Sequence, residues 1–246
     1  MTATRPGHRN WLRYSDSDAV LRLICLPHAG AGASSFNRWV ELFPAWIAPV
    51  RVQLPGREDA ASEPALRRVP DAVDGLLAEL SALDRTPLAV YGHSMGALVA
   101  YELARALAAA GTPVLHLFVS GRRAPHLAAT RQQIHRLPDP DFAAALAAMN
   151  AWGDAGRSAS FLRYALRLTR SDLELSEEYR HLSEPRLECP ITAFHGTADP
   201  IVDAAEITAW RELTGGPFVL HEFAGDHLFH HRHRAAIVVL MAEAVR

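Results

Sequence analysis

The sequence predicts an α/β fold, a mostly parallel sheet flanked by helices. Two observations carry this. Short apolar runs of four to seven residues alternate with helix-length segments along the chain, as in a fold built from strand–helix–strand units with right-handed crossovers. The runs also show little polar alternation and are bounded by Gly, Pro or Asp, which suits strands covered on both faces.

Six strands are expected in order. Val20 to Leu26 ends at Pro27, and Val50 to Leu54 ends at Pro55-Gly56. Leu88 to Tyr91, Val114 to Val119, Ile191 to Phe194 and Phe218 to Phe223 complete the set. Helices are expected between them. Ser34 to Trp46 opens on a Ser that can cap, and Pro70 to Leu83 repeats apolar residues at Val73, Leu76, Leu77 and Leu80. Ser94 to Ala110 is Ala- and Leu-rich and stops at Gly111, with Pro113 beyond, a strong C-terminal signal. Asp203 to Leu213 and His233 to Val245 are the last two.

The interval from Arg122 to Glu188 breaks the rhythm, because it contains no convincing strand. It reads as helices over Asp139 to Met149, Ala159 to Thr169 and Ser171 to His181, with Asp139, Ser158 and Ser171 as candidate caps. A helical insertion between two core strands, at about 122–188, is expected to form a lid; the plainer alternative is extra packing on the sheet flank. The whole chain, 1–246, reads as one domain with that insertion. No internal repeat or low-complexity tract interrupts it.

Composition excludes several function classes. The chain has 246 residues, 49% hydrophobic and 21% charged, with a formal net charge of −2. That balance is ordinary for a globular protein and points to neither nucleic acid nor a membrane. All 25 basic residues are Arg, which reads as coding bias in an Ala-rich chain. Met1 to Asn10 has no apolar signal core, and no apolar run approaches the roughly 18 residues of a membrane span. A cytoplasmic protein is the expectation. Cys25 and Cys189 lie in or beside apolar runs and form no CxxC; they are expected as core or strand-edge thiols, not as a disulfide. The short polar lead and the lack of a linker-like flank favour a stand-alone chain over a domain cut from a larger protein.

Gly92-His93-Ser94-Met95-Gly96 matches G-x-S-x-G, with an expected strand before it and an expected helix after it. In an α/β-hydrolase this context puts the Ser on a strained turn with its hydroxyl above the sheet. Ser94 is therefore the expected nucleophile. The N–H of Met95, at the helix start, is the first expected oxyanion donor. The second usually comes from the loop after an earlier strand. Here that loop is Pro27-His28-Ala29-Gly30-Ala31-Gly32, and the N–H of Ala29 is the expected donor. His28 is expected to hold the loop by a hydrogen bond; as the catalytic base it is the minor alternative.

In this fold the order along the chain is Ser, then Asp or Glu, then His. Among 13 His, His227 follows the last expected strand and precedes the final helix, so its loop can carry an imidazole over the sheet edge. An imidazole with an ordinary pKa of about 6.5 can take and return a proton near neutrality. His230, His231 and His233 follow in an Arg-interleaved run with no Cys, Asp or Glu; that run reads as a solvated helix start, and no metal is expected. The acid has two places to sit. No carboxylate follows Val114 to Val119, whereas Asp199 follows Ile191 to Phe194. Asp199 is the expected orienting acid and Asp203 the fallback, more simply a helix cap. Asp226 adjoins His227 and cannot easily reach its Nδ1.

The chain resembles the stand-alone type II thioesterases that accompany polyketide synthases and nonribosomal peptide synthetases. The likeness runs from Leu23 to about Phe229. Its marks are Leu26 to Gly32, Gln53-Leu54-Pro55-Gly56-Arg57, Gly92 to Gly96, Ser120-Gly121-Arg122-Arg123-Ala124-Pro125, Arg170-Ser171-Asp172 before Tyr179, and Gly225-Asp226-His227. The resemblance implies hydrolysis of acyl thioesters on the phosphopantetheine arm of acyl or peptidyl carrier proteins, clearing stalled or wrong acyl groups. It puts the family's roles on Ser94, Asp199 and His227, with Ala29 and Met95 as backbone donors, and makes the insertion the lid over the acyl chamber. The triad chemistry needs no metal or dissociable cofactor, and a monomer is expected. Arg122 and Arg123 could meet the acidic face of a carrier protein, against the plainer reading of solvated or internally paired side chains. Two rivals stay open: a general carboxylesterase or acyltransferase with the same triad, and a non-catalytic carrier-binding scaffold.

Overall fold

A computed structural model describes residues 11–15, 18–149, 159–182 and 185–246, with only the backbone of residues 159–164. Its centre is a seven-stranded sheet in the order β1-β3-β2-β4-β5-β6-β7. The strands are β1 (Leu12–Arg13), β2 (Leu21–Leu26), β3 (Ile47–Val52), β4 (Leu88–His93), β5 (His116–Ser120), β6 (Ile191–Gly196) and β7 (Phe218–Phe223). All pairings are parallel except β1 with β3. The chain belongs to the α/β-hydrolase type expected, and the six expected strands are all present. The two-residue β1 has no signal in the sequence: it is too short to show a pattern, and its pairing with Val52 is non-local.

The sheet's two faces sort the strand residues. Ile24, Leu26, Val90, Leu117, Val119 and Ala193 face a core built with α1 (Val69–Leu80), α2 (Met95–Ala109) and Trp210. Leu23, Cys25, Tyr91, Phe118 and Phe194 face the other core, with Phe36, Trp39 and Ile237. Ile237 belongs to α7 (Arg234–Ala244), which follows the short α6 (Phe229–Arg232). Period-2 alternation with both faces apolar is why the strands read as near-continuous apolar runs. Cys25 is buried, Cys189 is half-buried, and both are free.

The expected helix over Ser34 to Trp46 is not formed. Two 3₁₀ segments, Ala33–Phe36 and Val40–Leu42, take its place. The Ser34 hydroxyl does not cap; it donates to Glu58, whose carboxylate also accepts the Ser34 N–H. Phe36 and Trp39 bury three residues apart, a spacing that 3₁₀ geometry stacks on one side. The final expected helices are present but shorter: α5 (Ala204–Thr208) gives way to a 3₁₀ turn over Ala209–Leu213. Asp203 starts α5 with a capping box to Glu206, the role expected of it.

Between β5 and β6 lie α3 (Asp139–Ala148) and α4 (Ala159–Glu177). The insertion is helical, as expected, but α4 is one helix where two were expected. Ser171 does not cap a new helix: it sits inside α4 and its hydroxyl donates to Arg167 O, four residues back. Asp139 is the first residue of α3, whose cap position is Pro138. Ser158 lies outside the described residues.

Candidate active site

In an open parallel sheet, ligands bind beyond the carboxyl ends of the strands, where the strand order reverses. Here β2 pairs with β3 on one side and β4 on the other, so the reversal falls between β2 and β4. The loop after β2 carries His28 and Ala29, and the turn after β4 carries Ser94.

Ser94 has φ 55° and ψ −116°, a left-handed conformation that costs a non-glycine residue about 1–3 kcal/mol. Packing on both sides holds it. Its N–H donates to Ser120 O at 2.8 Å, and its own carbonyl accepts from Ala97 N at 3.1 Å. The glycines of the motif make the turn this tight. A Cβ on Gly92 would stand 2.1 Å from Gly96 O, and a Cβ on Gly96 would stand 2.3 Å from Leu26 O. The second contact also shows that the exit of β2 lies directly on the first turn of α2. Met95, the first residue of α2, therefore sits beside the loop of Ala29 with an N–H that has no acceptor in its own helix.

The other two expected residues reach the same place. His227 Nε2 lies 2.9 Å from Ser94 Oγ, and His227 Nδ1 lies 2.8 Å from Asp199 Oδ2. An ionised carboxylate only accepts, so the ring proton sits on Nδ1 and Nε2 accepts from the Ser94 hydroxyl. The Asp199 side chain is fully buried. Its Oδ1 accepts from Ile201 N at 2.8 Å and Val202 N at 3.3 Å, which leaves Oδ2 for the imidazole. The turn that presents Asp199 is closed by Ala198 N to Gly225 O at 2.9 Å, tying it to the segment that carries His227. Asp226 turns away and accepts from Leu228 N at 3.0 Å.

Sequence reasoning named the loop after β2 but missed what holds it. His28 Nδ1 is buried without a partner, so that atom does not make the expected hydrogen bond; the His28 carbonyl accepts from Ala31 N at 3.1 Å. The loop is held from a distance. Gly30 N donates to Asp172 Oδ2 at 2.7 Å, Arg57 Nη1 donates to Ala31 O at 2.9 Å, and Ala33 N donates to Gln53 Oε1 at 2.8 Å. Arg57 and Asp172 form a two-pronged pair, Nη1–Oδ2 at 2.9 Å and Nη2–Oδ1 at 2.8 Å, each side chain 1% exposed. Asp172 lies on α4, so the helical insertion is keyed into the loop after β2. The only sequence signal was the pair of marks Leu54-Pro55-Gly56-Arg57 and Arg170-Ser171-Asp172, with nothing to show that they meet.

Arg122 and Arg123 are spent inside the chain. Arg122 Nη1 donates to Ser176 Oγ at 2.6 Å, and burial lowers this guanidinium to a pKa of about 10. Arg123 donates to the carbonyls of Leu127 and Ala128. The internally paired reading is the observed one.

The His-rich run is not a solvated helix start. His230 is 1% exposed and stacks on His93 with ring centroids 3.7 Å apart. His93 is fully buried and lies between Ser120 Oγ, 2.8 Å from its Nδ1, and the His227 ring, 5.1 Å away. Burial holds His93 and His230 well below the ordinary imidazole pKa and lowers His28 to about 3. These rings are uncharged near neutrality. No described helix is long and apolar enough to cross a membrane.

A family model described as the thioesterase domain matches residues 21–244. The chain is 36% identical over 233 residues to the gramicidin S biosynthesis protein GrsT of Aneurinibacillus migulanus, covering 94% of this chain and 91% of that one. It is 37% identical over 224 residues to the thioesterase PikA5 of Streptomyces venezuelae, covering 89% and 79%. The solved structure of BorB, a type II thioesterase from the borrelidin biosynthetic cluster, superposes with a TM-score of 0.89 at 37% identity, covering 96% of this chain and 98% of that one. The chain is a member of the thioesterase domain family, and its relatives include type II thioesterases of polyketide and nonribosomal peptide pathways.

Proposed function

We propose that this thioesterase hydrolyses acyl groups from the phosphopantetheine arm of acyl or peptidyl carrier proteins, removing stalled or aberrant acyl groups from a cytoplasmic synthase. The observation that carries the reading is the unbroken chain Asp199–His227–Ser94, at 2.8 Å and 2.9 Å, ending on a strained Ser above the sheet.

In this mechanism His227 Nε2 takes the Ser94 proton as Oγ attacks the thioester carbonyl. The developing oxyanion is bound by the N–H groups of Met95 and Ala29, each such donor being worth about 3–4 kcal/mol. The pantetheine thiol leaves with the proton returned by His227, and an acyl-Ser94 ester remains. Water, deprotonated by His227, then releases the acid. Asp199 keeps the ring in its reactive tautomer and stabilises the imidazolium. The chain's own residues, with water as the second nucleophile, supply every acid, base and nucleophile of this cycle, so no cofactor enters it. The insertion, keyed to the oxyanion loop through Asp172, serves as the lid and shapes the acyl chamber.

The test is hydrolysis of a panel of short, long, decarboxylated and extended acyl groups on one carrier protein, beside simple oxygen esters. The reading expects carrier thioesters to be preferred in kcat/KM. A strong preference for oxygen esters defeats it in favour of a general esterase. Absence of turnover on both, with carrier binding intact, points to a scaffold.

A further inference from the structure

Four imidazoles near the crest of the sheet have no part in the proposed reaction. Three of them converge from two distant parts of the chain: His28, after β2, and His230 and His231, in α6. Their ring centroids lie 5.6 Å (His28–His230), 5.8 Å (His28–His231) and 4.1 Å (His230–His231) apart. One ring nitrogen from each lies within 4.8 Å of the other two.

Ring packing alone does not account for them. The Nδ1 atoms of His28 and His230 are both buried with no hydrogen-bond partner. A buried polar atom without a partner costs free energy that a hydrocarbon ring in its place would not. In the tautomer with the ring proton on Nε2, each of these Nδ1 atoms offers a lone pair. His231 is half-buried and also lines a cavity of about 400 Å³ with Ser34, Asn37, Arg38 and Arg234, which gives an ion a way in.

We propose that His28, His230 and His231 form a three-imidazole site for a zinc-class divalent cation, with water or an anion from the cavity as the fourth ligand. Zinc–nitrogen bonds of about 2.0–2.1 Å place tetrahedral ligands about 3.4 Å apart, so the three nitrogens close on the ion by side-chain rotations of an ångström or so. Imidazole donors suit zinc, copper and nickel rather than magnesium or calcium. Arg38 and Arg234 at the cavity wall favour chloride or hydroxide in the fourth position. The ion would tie the loop that carries Ala29 to the segment just beyond His227. That bracing role rests on the catalytic reading above; the binding does not.

The test uses the full chain after dialysis against a chelator, titrated with Co²⁺ and then Zn²⁺. The expected result is one Co²⁺ per chain with the visible absorption of a tetrahedral site, displaced by one Zn²⁺. His28→Gln and His231→Ala should each weaken binding by at least about 100-fold. His233→Ala, whose Nε2 bonds Ala224 O instead, and His227→Ala, which removes the proposed base, should keep it. Circular dichroism checks each fold. If His28→Gln does not fold, the half-exposed His231 position and the wild-type cobalt spectrum decide alone. Absence of saturable Co²⁺ uptake by the wild type overturns the proposal. So does uptake unchanged in His231→Ala, or uptake lost only in His227→Ala, which would put the ion on the triad.

Discussion

The turn of Ser94 and the loop of Ala29 lie against each other, yet they are built in opposite ways. The turn comes from one continuous stretch: β4, two glycines that let backbone meet backbone, and α2. The loop is shaped by residues far away in sequence, since Gly30 bonds Asp172 across 142 positions and Arg57 bonds Asp172 across 115. A local device can hold strain because its neighbours are covalently near. A device assembled over such distances holds only if the insertion is docked. Truncating the reacting side chain at the turn should therefore alter rate with little effect on stability, whereas changes in the loop's support should alter both.

The largest expected effect is on the turn side. Ser94→Ala should lower kcat on a carrier thioester by roughly a million-fold, the scale seen when a triad nucleophile is removed, with the urea midpoint nearly unchanged. A loss of under tenfold would break the assignment. Asp199→Asn should cost about 10⁴ in kcat by releasing the imidazole tautomer; steady-state kinetics beside a denaturation curve would show whether rate falls without stability.

On the support side, Asp172→Ala strands the buried Arg57 guanidinium. The expected loss is about 3–5 kcal/mol of stability, read by urea unfolding, together with a fall in kcat as Gly30 N loses its acceptor. Arg57→Met with Asp172→Leu should recover much of the stability and little of the rate, because an apolar pair can replace a buried ion pair but cannot hold the loop's N–H. Equal recovery of both would mean that the network is structural only. The smallest effect belongs to Gly30→Ala. Gly30 has φ +79°, and a Cβ there would stand 2.6 Å from Thr169 Oγ1. About 1–2 kcal/mol should be lost, with a modest rise in KM if the loop shifts toward the substrate side.

The same contrast explains what could be read from the sequence. The strands and the turn of Ser94 were legible because their signals are local: apolar runs, glycine spacing, a helix stop at Gly111. Asp199 and His227 were legible because fold order restricts where an acid and a base can sit. The helical character of the insertion was legible, but Ser171 was misread as a cap because its i−4 hydrogen bond inside α4 leaves no local mark. Ser34 was misread for the converse reason, since a remote Glu58 takes its hydroxyl. The pairing of Arg57 with Asp172 and the meeting of His28 with His230 are invisible to any local pattern. Both need the sheet to bring the loops after β2 and β3 against residues that follow them by more than a hundred positions.

The account stands most directly on Ser94 being a nucleophile poised by His227. Intact-protein mass spectrometry after exposure to a fluorophosphonate reads this. One adduct should form on the wild type and map to Ser94, form far more slowly on His227→Ala, and be absent from Ser94→Ala. An adduct that persists in folded Ser94→Ala, or a wild type that takes up none, would contradict it.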